Sequence, residues 1–238
     1  GIHIDKEGTV WVAGNGNEDH QILKFTPEGK FLMQIGKAGS TGGSNSKTQL
    51  GRPAHMVTDD AAAELYVADG YLNRRVVVFD VKTGAYKRHW GAYGTKDPTD
   101  EKLPPYKPVA ITDLSKSFSN PVHCVRLSRD NLVYMCDRAN NRIQVFRKDG
   151  TFVKEFQLDA ETLQNGSVWD LVLSNDAAQR YIFVADGANM AVSTLDRQTG
   201  KRIGMFGRPG RMAGEFKWIH NMAIDSKGNL YTAEVGHG

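Results

Sequence analysis

The chain has 238 residues, 40% of them hydrophobic and 24% charged, with 25 glycines. This composition is that of a globular domain with a sizeable core, and it excludes a disordered chain. Thirty basic and 27 acidic residues leave a net charge of +3, too small and too evenly spread for a nucleic-acid-binding surface, and no membrane span or signal peptide is visible.

A unit of four short strands repeats along the chain. Each copy has a strand, a polar turn, a second strand that often ends in Ala-Asp, a third rich in Val and Phe, and a fourth that often ends in Gly. The first copy reads GIHID, TVWVAG, QILKF, FLMQIG, and the second HMVTD, ELYVAD, VVVFD, YKRHWG. The third reads VHCVRLS, LVYMCD, IQVF, FVKEFQ, and the fourth WDLVLS, YIFVAD, AVSTLD, RIGMFG. A fifth begins with HNMAID and NLYTAE.

Four strands per unit without a helical period predict an all-β fold of antiparallel meanders, and a meander repeated radially is a β-propeller blade. A sandwich would not repeat its strand order so regularly. Four and a half blades are visible, whereas such rings commonly have about six. We therefore expect residues 1–238 to form a single, incomplete propeller domain, with the remaining blades supplied by the rest of the parent chain.

The two cysteines of the chain, Cys124 and Cys136, flank a predicted hairpin turn and can face each other across adjacent strands. Directly cross-strand disulfides are usually strained, and buried free cysteines are common. We therefore expect free thiols rather than a disulfide. The two cysteines therefore do not indicate whether the protein works in an oxidising or a reducing compartment.

The junctions between second and third strands carry a specific pattern: DGYLNRRVVVF at 69–79 and DRANNRIQVF at 137–146. These segments resemble the NHL repeat, which implies a propeller of that type. Four of their residues are predicted to form structural turns and ion pairs rather than chemistry, because Asp/Arg pairs at strand ends are ordinary architecture. They are Asp69, Arg75, Asp137 and Arg142.

The order of the two motifs is similar to that of peptidyl-α-hydroxyglycine α-amidating lyase, an enzyme family built on a six-bladed propeller. GIHIDKEGTVWV, HQILKF, KRHWG, FSNPVH and IHNMAIDSKGNLY have counterparts there in the same order. NHL features alone do not indicate an activity, because the scaffold serves enzymes and binding proteins alike.

Three histidines share one position in their blades. His55, His123 and His220 each lie eleven residues before a second-strand tyrosine, while Trp169 takes this place in the fourth blade. First strands line the central channel of a propeller, so these side chains should converge on one axis. Three imidazoles with an open coordination position are typical of catalytic zinc. The alternative is that they are hydrogen-bonded wall residues.

The resemblance implies that His123 and His220 hold a catalytic zinc ion and that the third ligand is a histidine before Gly1. His55 departs from the family, which usually has an acidic residue there. Three roles are open for His55: it could replace a ligand, hold a ligand in place or line the channel. His3, His20 and His89 lack the register and are assigned to structure or surface, and His237 is uninformative.

The resemblance also implies that Tyr71 acts as general base and that Arg138, directly after Asp137, is the active-site arginine. A neighbouring guanidinium would favour the phenolate that such a base needs. In isolation both would be surface turn residues. The family's structural calcium site carries over to Asn221 and to the carbonyl of Ile2, and the loss of an aspartate at Asn221 predicts weak or absent calcium.

For a chain with these residues, the resemblance implies a zinc-dependent carbon–nitrogen lyase that acts on a small-molecule or peptide substrate and releases glyoxylate and an amide. Two alternatives stay open: a non-enzymatic NHL module that binds protein, glycan or RNA, and a lactonase-like hydrolase that typically uses calcium. The histidines argue against the second. The insertion at 92–117 is predicted to be a surface loop rather than a lid. A secreted or periplasmic location follows from the resemblance alone.

Overall fold

The computed structural model describes residues 1–236, so His237 lies outside the described part of the chain. It confirms the all-β expectation. Four antiparallel sheets of four strands each follow one another, and a two-stranded sheet comes last. We call them blades 1 to 5 in chain order. No helix among residues 1–236 is long and apolar enough to cross a membrane.

In every four-stranded sheet the strands follow sequence order, as an up-and-down meander requires. Blade 1 contains β1 Ile2–Ile4, β2 Val10–Ala13, β3 Gln21–Phe25 and β4 Phe31–Gly36, and blade 2 contains β5 His55–Asp59, β6 Glu64–Asp69, β7 Arg75–Asp80 and β8 Tyr86–Trp90. Blade 3 contains β9 Val122–Leu127, β10 Leu132–Asp137, β11 Arg142–Arg147 and β12 Phe152–Gln157. Blade 4 contains β13 Asp170–Leu173, β14 Tyr181–Asp186, β15 Ala191–Asp196 and β16 Arg202–Phe206, and blade 5 contains β17 Ile219–Ile224 and β18 Leu230–Glu234. Short 3₁₀ turns occupy Ala92–Gly94, Ile111–Asp113 and Arg138–Asn140.

The core lies between blades rather than within one layer. Four separate apolar clusters occupy the four interfaces between neighbouring blades. Trp11 and Met56 belong to the cluster between blades 1 and 2, and Trp90 and Phe146 to the cluster between blades 2 and 3. Each blade is thus covered by its neighbours, which is why the strands of the middle blades are apolar on both faces.

The Asp/Arg pairs of the repeat are structural, as expected from the sequence. Arg75 donates to the Asp69 carboxylate at 2.9 Å, and Arg142 donates to Asp137 at 2.7 Å, with all four side chains fully buried. Asp69 also accepts from the backbone amide of Gly51 at 2.7 Å. Asp69 and Asp137 therefore fix the ends of β6 and β10. The candidate site residues Tyr71 and Arg138 follow directly after these two ends.

The expectation of free thiols was wrong, because Cys124 and Cys136 form a disulfide. They are directly opposite each other on β9 and β10, with their Cα atoms 4.8 Å apart. Cross-strand neighbours on the same face already lie within bridging distance. The bond lies in the apolar cluster between blades 3 and 4.

The equivalence of His55 with the other two histidines was also wrong. His123 and His220 sit at β-bulges, where the directly paired residues are Cys124 and Asn221. His55 pairs regularly with Ala68 and thus has the register of Cys124 and Asn221. The spacing of eleven residues was the same because the β5–β6 turn is one residue longer, which compensates for the missing bulge. Since a shift by one residue changes the direction of a strand side chain, His55 does not point where His123 points.

The insertion at 92–117 packs along the blades on both sides of it. Tyr106 donates its hydroxyl to the carbonyl of Ala160 at 2.7 Å, and the Gln157 amide donates to the carbonyl of Val109 at 3.1 Å. At its start, the Arg74 guanidinium donates to the carbonyl of Thr99 at 3.2 Å. The insertion therefore crosses blade 3 and reaches the segment that leads into blade 4.

Candidate functional site

Three side chains from three blades meet at the centre of the propeller. The Nε2 atoms of His123 and His220 are 3.2 Å apart. The Tyr71 hydroxyl lies 3.1 Å from Nε2 of His123 and 3.3 Å from Nε2 of His220. The structure therefore brings together Tyr71 of blade 2, His123 of blade 3 and His220 of blade 5 around one point.

Gly70 places Tyr71 beside β9. A Cβ atom at Gly70 would lie 2.0 Å from the carbonyl oxygen of Val122, so only glycine allows this approach. The Gly70 carbonyl accepts from the backbone amide of Val122 at 3.3 Å. The Asn120 amide donates to the carbonyls of Gly70 and Leu72 at 2.8 and 3.1 Å. The Asp-Gly-Tyr turn of blade 2 is thereby fastened to the residues that precede His123.

Both imidazoles are oriented through their other ring nitrogen. Nδ1 of His123 donates to the carbonyl of Trp169, and Nδ1 of His220 donates to Oδ1 of Asn221 at 2.6 Å. These contacts leave Nε2 unprotonated and turned toward the shared point. Burial, assisted by the charge of Arg138, lowers the pKa of His123 well below its usual value. Burial also lowers the pKa of His220, so both rings are neutral at neutral pH.

Arg138 lies next to Tyr71 and against the ring of Trp169. Its guanidinium carbon is 4.4 Å from the centre of the Trp169 ring, and its Nε is buried without a partner among residues 1–236. Burial lowers the pKa of Arg138, and the nearby Tyr71 hydroxyl acts in the opposite direction. Arg138 thus brings a positive charge to Tyr71 from blade 3, as expected from its position after Asp137.

A second guanidinium, which was not predicted from the sequence, lies over the ring of Tyr71. The guanidinium carbon of Arg52 is 5.6 Å from the centre of the Tyr71 ring, and Nε of Arg52 donates to the carbonyl of Asn15 at 2.6 Å. Arg52 has a left-handed backbone, with φ of 59°, and its carbonyl accepts from the amide of Tyr71. No motif marks it, because it belongs to the loop before blade 2.

The remaining candidate ligands lie elsewhere along the channel. His55, Ile2 and Asn221 line a separate cavity of about 540 Å³ together with Arg126. Burial lowers the pKa of His55 well below its usual value, and its Nδ1 has no partner within the described residues. The Asn221 side chain already accepts from His220. Neither His55 nor Ile2 contacts the His123–His220 pair, and the calcium expectation stays a prediction.

The arrangement of the two histidines fits a metal ion. Two nitrogens bound to one tetrahedral zinc at about 2.0–2.1 Å would be about 3.3 Å apart, close to the 3.2 Å between the Nε2 atoms here. Neutral rings, Nε2 atoms directed at each other and Nδ1 atoms held by oxygen acceptors are the features of histidine ligands. Residues 1–236 contain no group of three or more His, Cys, Asp or Glu side chains placed for a metal. The pair would therefore supply two protein ligands.

Several proteins of known name align with the chain, although no family model matches it. Peptidyl-glycine alpha-amidating monooxygenase B of Xenopus laevis is 29% identical over 159 residues, which are 66% of this chain and 16% of the relative. NHL repeat-containing protein 3 of Mus musculus is 25% identical over 248 residues, 97% of this chain and 61% of the relative. Peptidyl-alpha-hydroxyglycine alpha-amidating lyase 1 of Drosophila melanogaster is 23% identical over 256 residues, 99% of this chain and 42% of the relative.

Among solved structures, a catalytically inactive histidine-to-alanine variant of virginiamycin B lyase from Staphylococcus aureus with quinupristin superposes with a TM-score of 0.60 at 14% identity, covering 98% of this chain and 62% of that one. Such a distant likeness shows the fold alone. The chain spans less than two thirds of the length of each of these proteins. With the blade pattern and the ordered motifs, these matches show a β-propeller that resembles NHL-repeat proteins and the peptidyl-α-hydroxyglycine α-amidating lyases.

Proposed function

We propose that the protein is a metal-dependent carbon–nitrogen lyase that cleaves an N-acyl α-hydroxyglycine, such as a peptidyl-α-hydroxyglycine, into glyoxylate and an amide. One observation carries the proposal: the Nε2 atoms of His123 and His220 are 3.2 Å apart, and the Tyr71 hydroxyl is within 3.3 Å of both. A propeller used only for binding has no need for two neutral imidazoles and a phenol at one point. The names of the relatives support the same class of reaction.

In the proposed reaction Tyr71 acts as the general base. Its phenolate takes the proton of the substrate hydroxyl, the C–O bond becomes a carbonyl, and the bond from the same carbon to the amide nitrogen breaks. The proton then passes to the leaving nitrogen, so the products are glyoxylate and a primary amide, and no water is consumed. Arg138 lies beside Tyr71 and brings a positive charge to the base.

His123 and His220 would hold the metal ion. When bound, zinc would supply Lewis acidity toward the oxygens of the substrate. Neither ring is held by a carboxylate, since Nδ1 of His123 faces a backbone carbonyl and Nδ1 of His220 an amide oxygen. Because both acceptors are uncharged, they add no negative charge to the rings. The two histidines therefore act as neutral ligands, and the positive charge of a bound metal ion would not be reduced by them.

The charges around Tyr71 fit a substrate that carries a carboxylate. Arg52 and Arg138 each bring a guanidinium group close to the tyrosine. The planar fork of a guanidinium binds a carboxylate with two parallel hydrogen bonds. We assign Arg52 to the substrate carboxylate, because among residues 1–236 its side chain donates only through Nε, to Asn15.

The test combines metal analysis with an activity assay on the full-length protein. We expect the purified protein to bind zinc and to release glyoxylate from N-benzoyl-α-hydroxyglycine. His123→Ala should abolish both, whereas Tyr71→Phe should retain zinc and lower kcat by about 10²–10⁴-fold, the range for loss of a general base.

His89→Ala is the matched control, because this histidine bonds to Tyr86 on an outer strand and should leave zinc and activity unchanged. If the protein binds no metal at neutral pH and His123→Ala changes neither metal content nor glyoxylate release, the proposed lyase activity is contradicted. The non-enzymatic binding module would then replace it.

A further inference from the structure

A second cavity opens beside the candidate site. It has a volume of about 450 Å³ and lies between blades 4 and 5 and the segment that follows blade 3. Its walls include Trp169, Trp218, Met190 and Leu163, together with Glu161 and several amides. The indole nitrogen of Trp169 already donates to the carbonyl of Gly166 at 2.7 Å, so Trp169 contributes an apolar wall.

Trp169 is a wall of this cavity and also lies beside the histidine pair. The ring centre of Trp169 is 6.0 Å from that of His123 and 5.5 Å from that of His220. The ring of Trp218 stands nearly perpendicular to Trp169 at 5.7 Å. A substrate held at Tyr71 and the histidines would therefore extend one of its ends along Trp169 and into the cavity.

The backbone around the cavity is unusual. Three of its lining residues have left-handed conformations, with φ of 59° at Gln164, 58° at Met190 and 56° at Trp218. Such conformations are uncommon for residues other than glycine, and they gather at ligand sites where the surrounding structure holds them. Three non-glycine residues from three different loops adopt this conformation around the cavity, so the surrounding packing fixes the backbone that lines it.

We propose that this cavity binds the side chain of the acyl residue next to the scissile group, and that it selects a large apolar or aromatic side chain. The proposal rests on the proposed function for the identity of the substrate. Trp169, Trp218 and Met190 offer the flat and deformable apolar surfaces that bind such side chains. The lining contains Glu161 and no Lys or Arg, so an acidic side chain is excluded by charge.

The orientation of the substrate follows from this assignment. Its carboxylate lies toward Arg52 and its acyl residue toward Trp218, with Tyr71 and the histidines between them. The carboxylate and the acyl group are on opposite sides of the carbon that carries the hydroxyl, so the two subsites match the order of groups in an N-acyl α-hydroxyglycine.

The experiment uses dipeptides without the reactive hydroxyl, so that binding is measured apart from turnover. The probes are N-acetyl-Phe-Gly, N-acetyl-Gly-Gly and N-acetyl-Asp-Gly, and their dissociation constants are measured by calorimetry on the full-length protein. We expect the Phe peptide to bind at least about 10-fold more tightly than the Gly peptide, within the range for an apolar pocket. The Asp peptide should bind more weakly than both.

Trp218→Ala and Met190→Ala should each reduce the preference for Phe, with binding of the Gly peptide retained. Ile203→Ala is the matched control, since Ile203 is an exposed apolar residue on β16 outside the cavity, and it should keep the preference. Circular dichroism confirms that each variant is folded. Equal binding of the three peptides, or a preference that survives both cavity variants, would overturn the proposal. A Phe preference without glyoxylate release would refute the lyase and leave the cavity assignment intact.

Discussion

Gly70→Ala tests whether the approach of blade 2 to β9 sets the geometry of the site. The added Cβ would lie 2.0 Å from the carbonyl oxygen of Val122 and 2.3 Å from its nitrogen, and ordinary contact begins at 3.4 Å. The segments around Gly70 and Val122 must therefore separate by 3.4 − 2.0 = 1.4 Å. The hydrogen bond of Tyr71 to His123 spans 3.1 Å, so a displacement of this size breaks it.

A misplacement of about 1 Å at a catalytic group typically costs about 10²-fold in rate, and overpacking costs about 1–3 kcal/mol of stability. We expect kcat/KM for glyoxylate release to fall by about 10²-fold in Gly70→Ala and the thermal midpoint to decrease. Gly204→Ala is the control, because its Cβ would meet nothing closer than 4.0 Å. Wild-type kcat/KM and an unchanged midpoint in Gly70→Ala would refute the positioning role of Gly70.

Two further predictions concern buried charges. Arg75→Ala leaves the Asp69 carboxylate buried without its partner and should lower the free energy of unfolding by about 3–5 kcal/mol, measured by urea denaturation. Arg180→Ala removes an exposed ion pair that water and salt screen, and should leave the urea midpoint nearly unchanged; similar losses in the two variants would contradict the buried-pair argument. Burial and the neighbouring Asp159 raise the pKa of Asp186 to about 6, so this group contributes stability at low pH that is lost as pH rises from about 4 to about 6. Asp159→Asn should lower the pKa of Asp186 and reduce that loss, as followed by carboxyl-carbon NMR titration; an unchanged midpoint would show that burial alone sets it.

The architecture could be derived from the sequence because it depends on local signals. Alternating apolar residues and turn residues at regular spacing recur in every full blade. An Asp that closes the second strand and an Arg that opens the third recur in blades 2 and 3. These signals depend on neighbours within about 30 residues, so a single sequence is enough to read them. The buried pairs of Asp69 with Arg75 and of Asp137 with Arg142 follow from the same local pattern.

Several features of the site could not be derived because they depend on contacts between distant segments. Counting eleven residues treated His55 as equivalent to His123, but a bulge in one strand and a longer turn beside the other cannot be told apart by spacing. Arg52 stacks on Tyr71 through a left-handed backbone that no motif announces.

The sequence by itself thus determined the repeat and the blade order, because these follow from periodicity and turn chemistry, whereas Tyr71 and Arg138 were indicated by the resemblance to the lyases. Only the tertiary structure decided which of those residues meet. The Tyr71 hydroxyl reaches His123 and His220 across 52 and 149 residues of chain. Such meetings are set by how blades pack on one another, and a bulge or one added turn residue is enough to redirect a side chain.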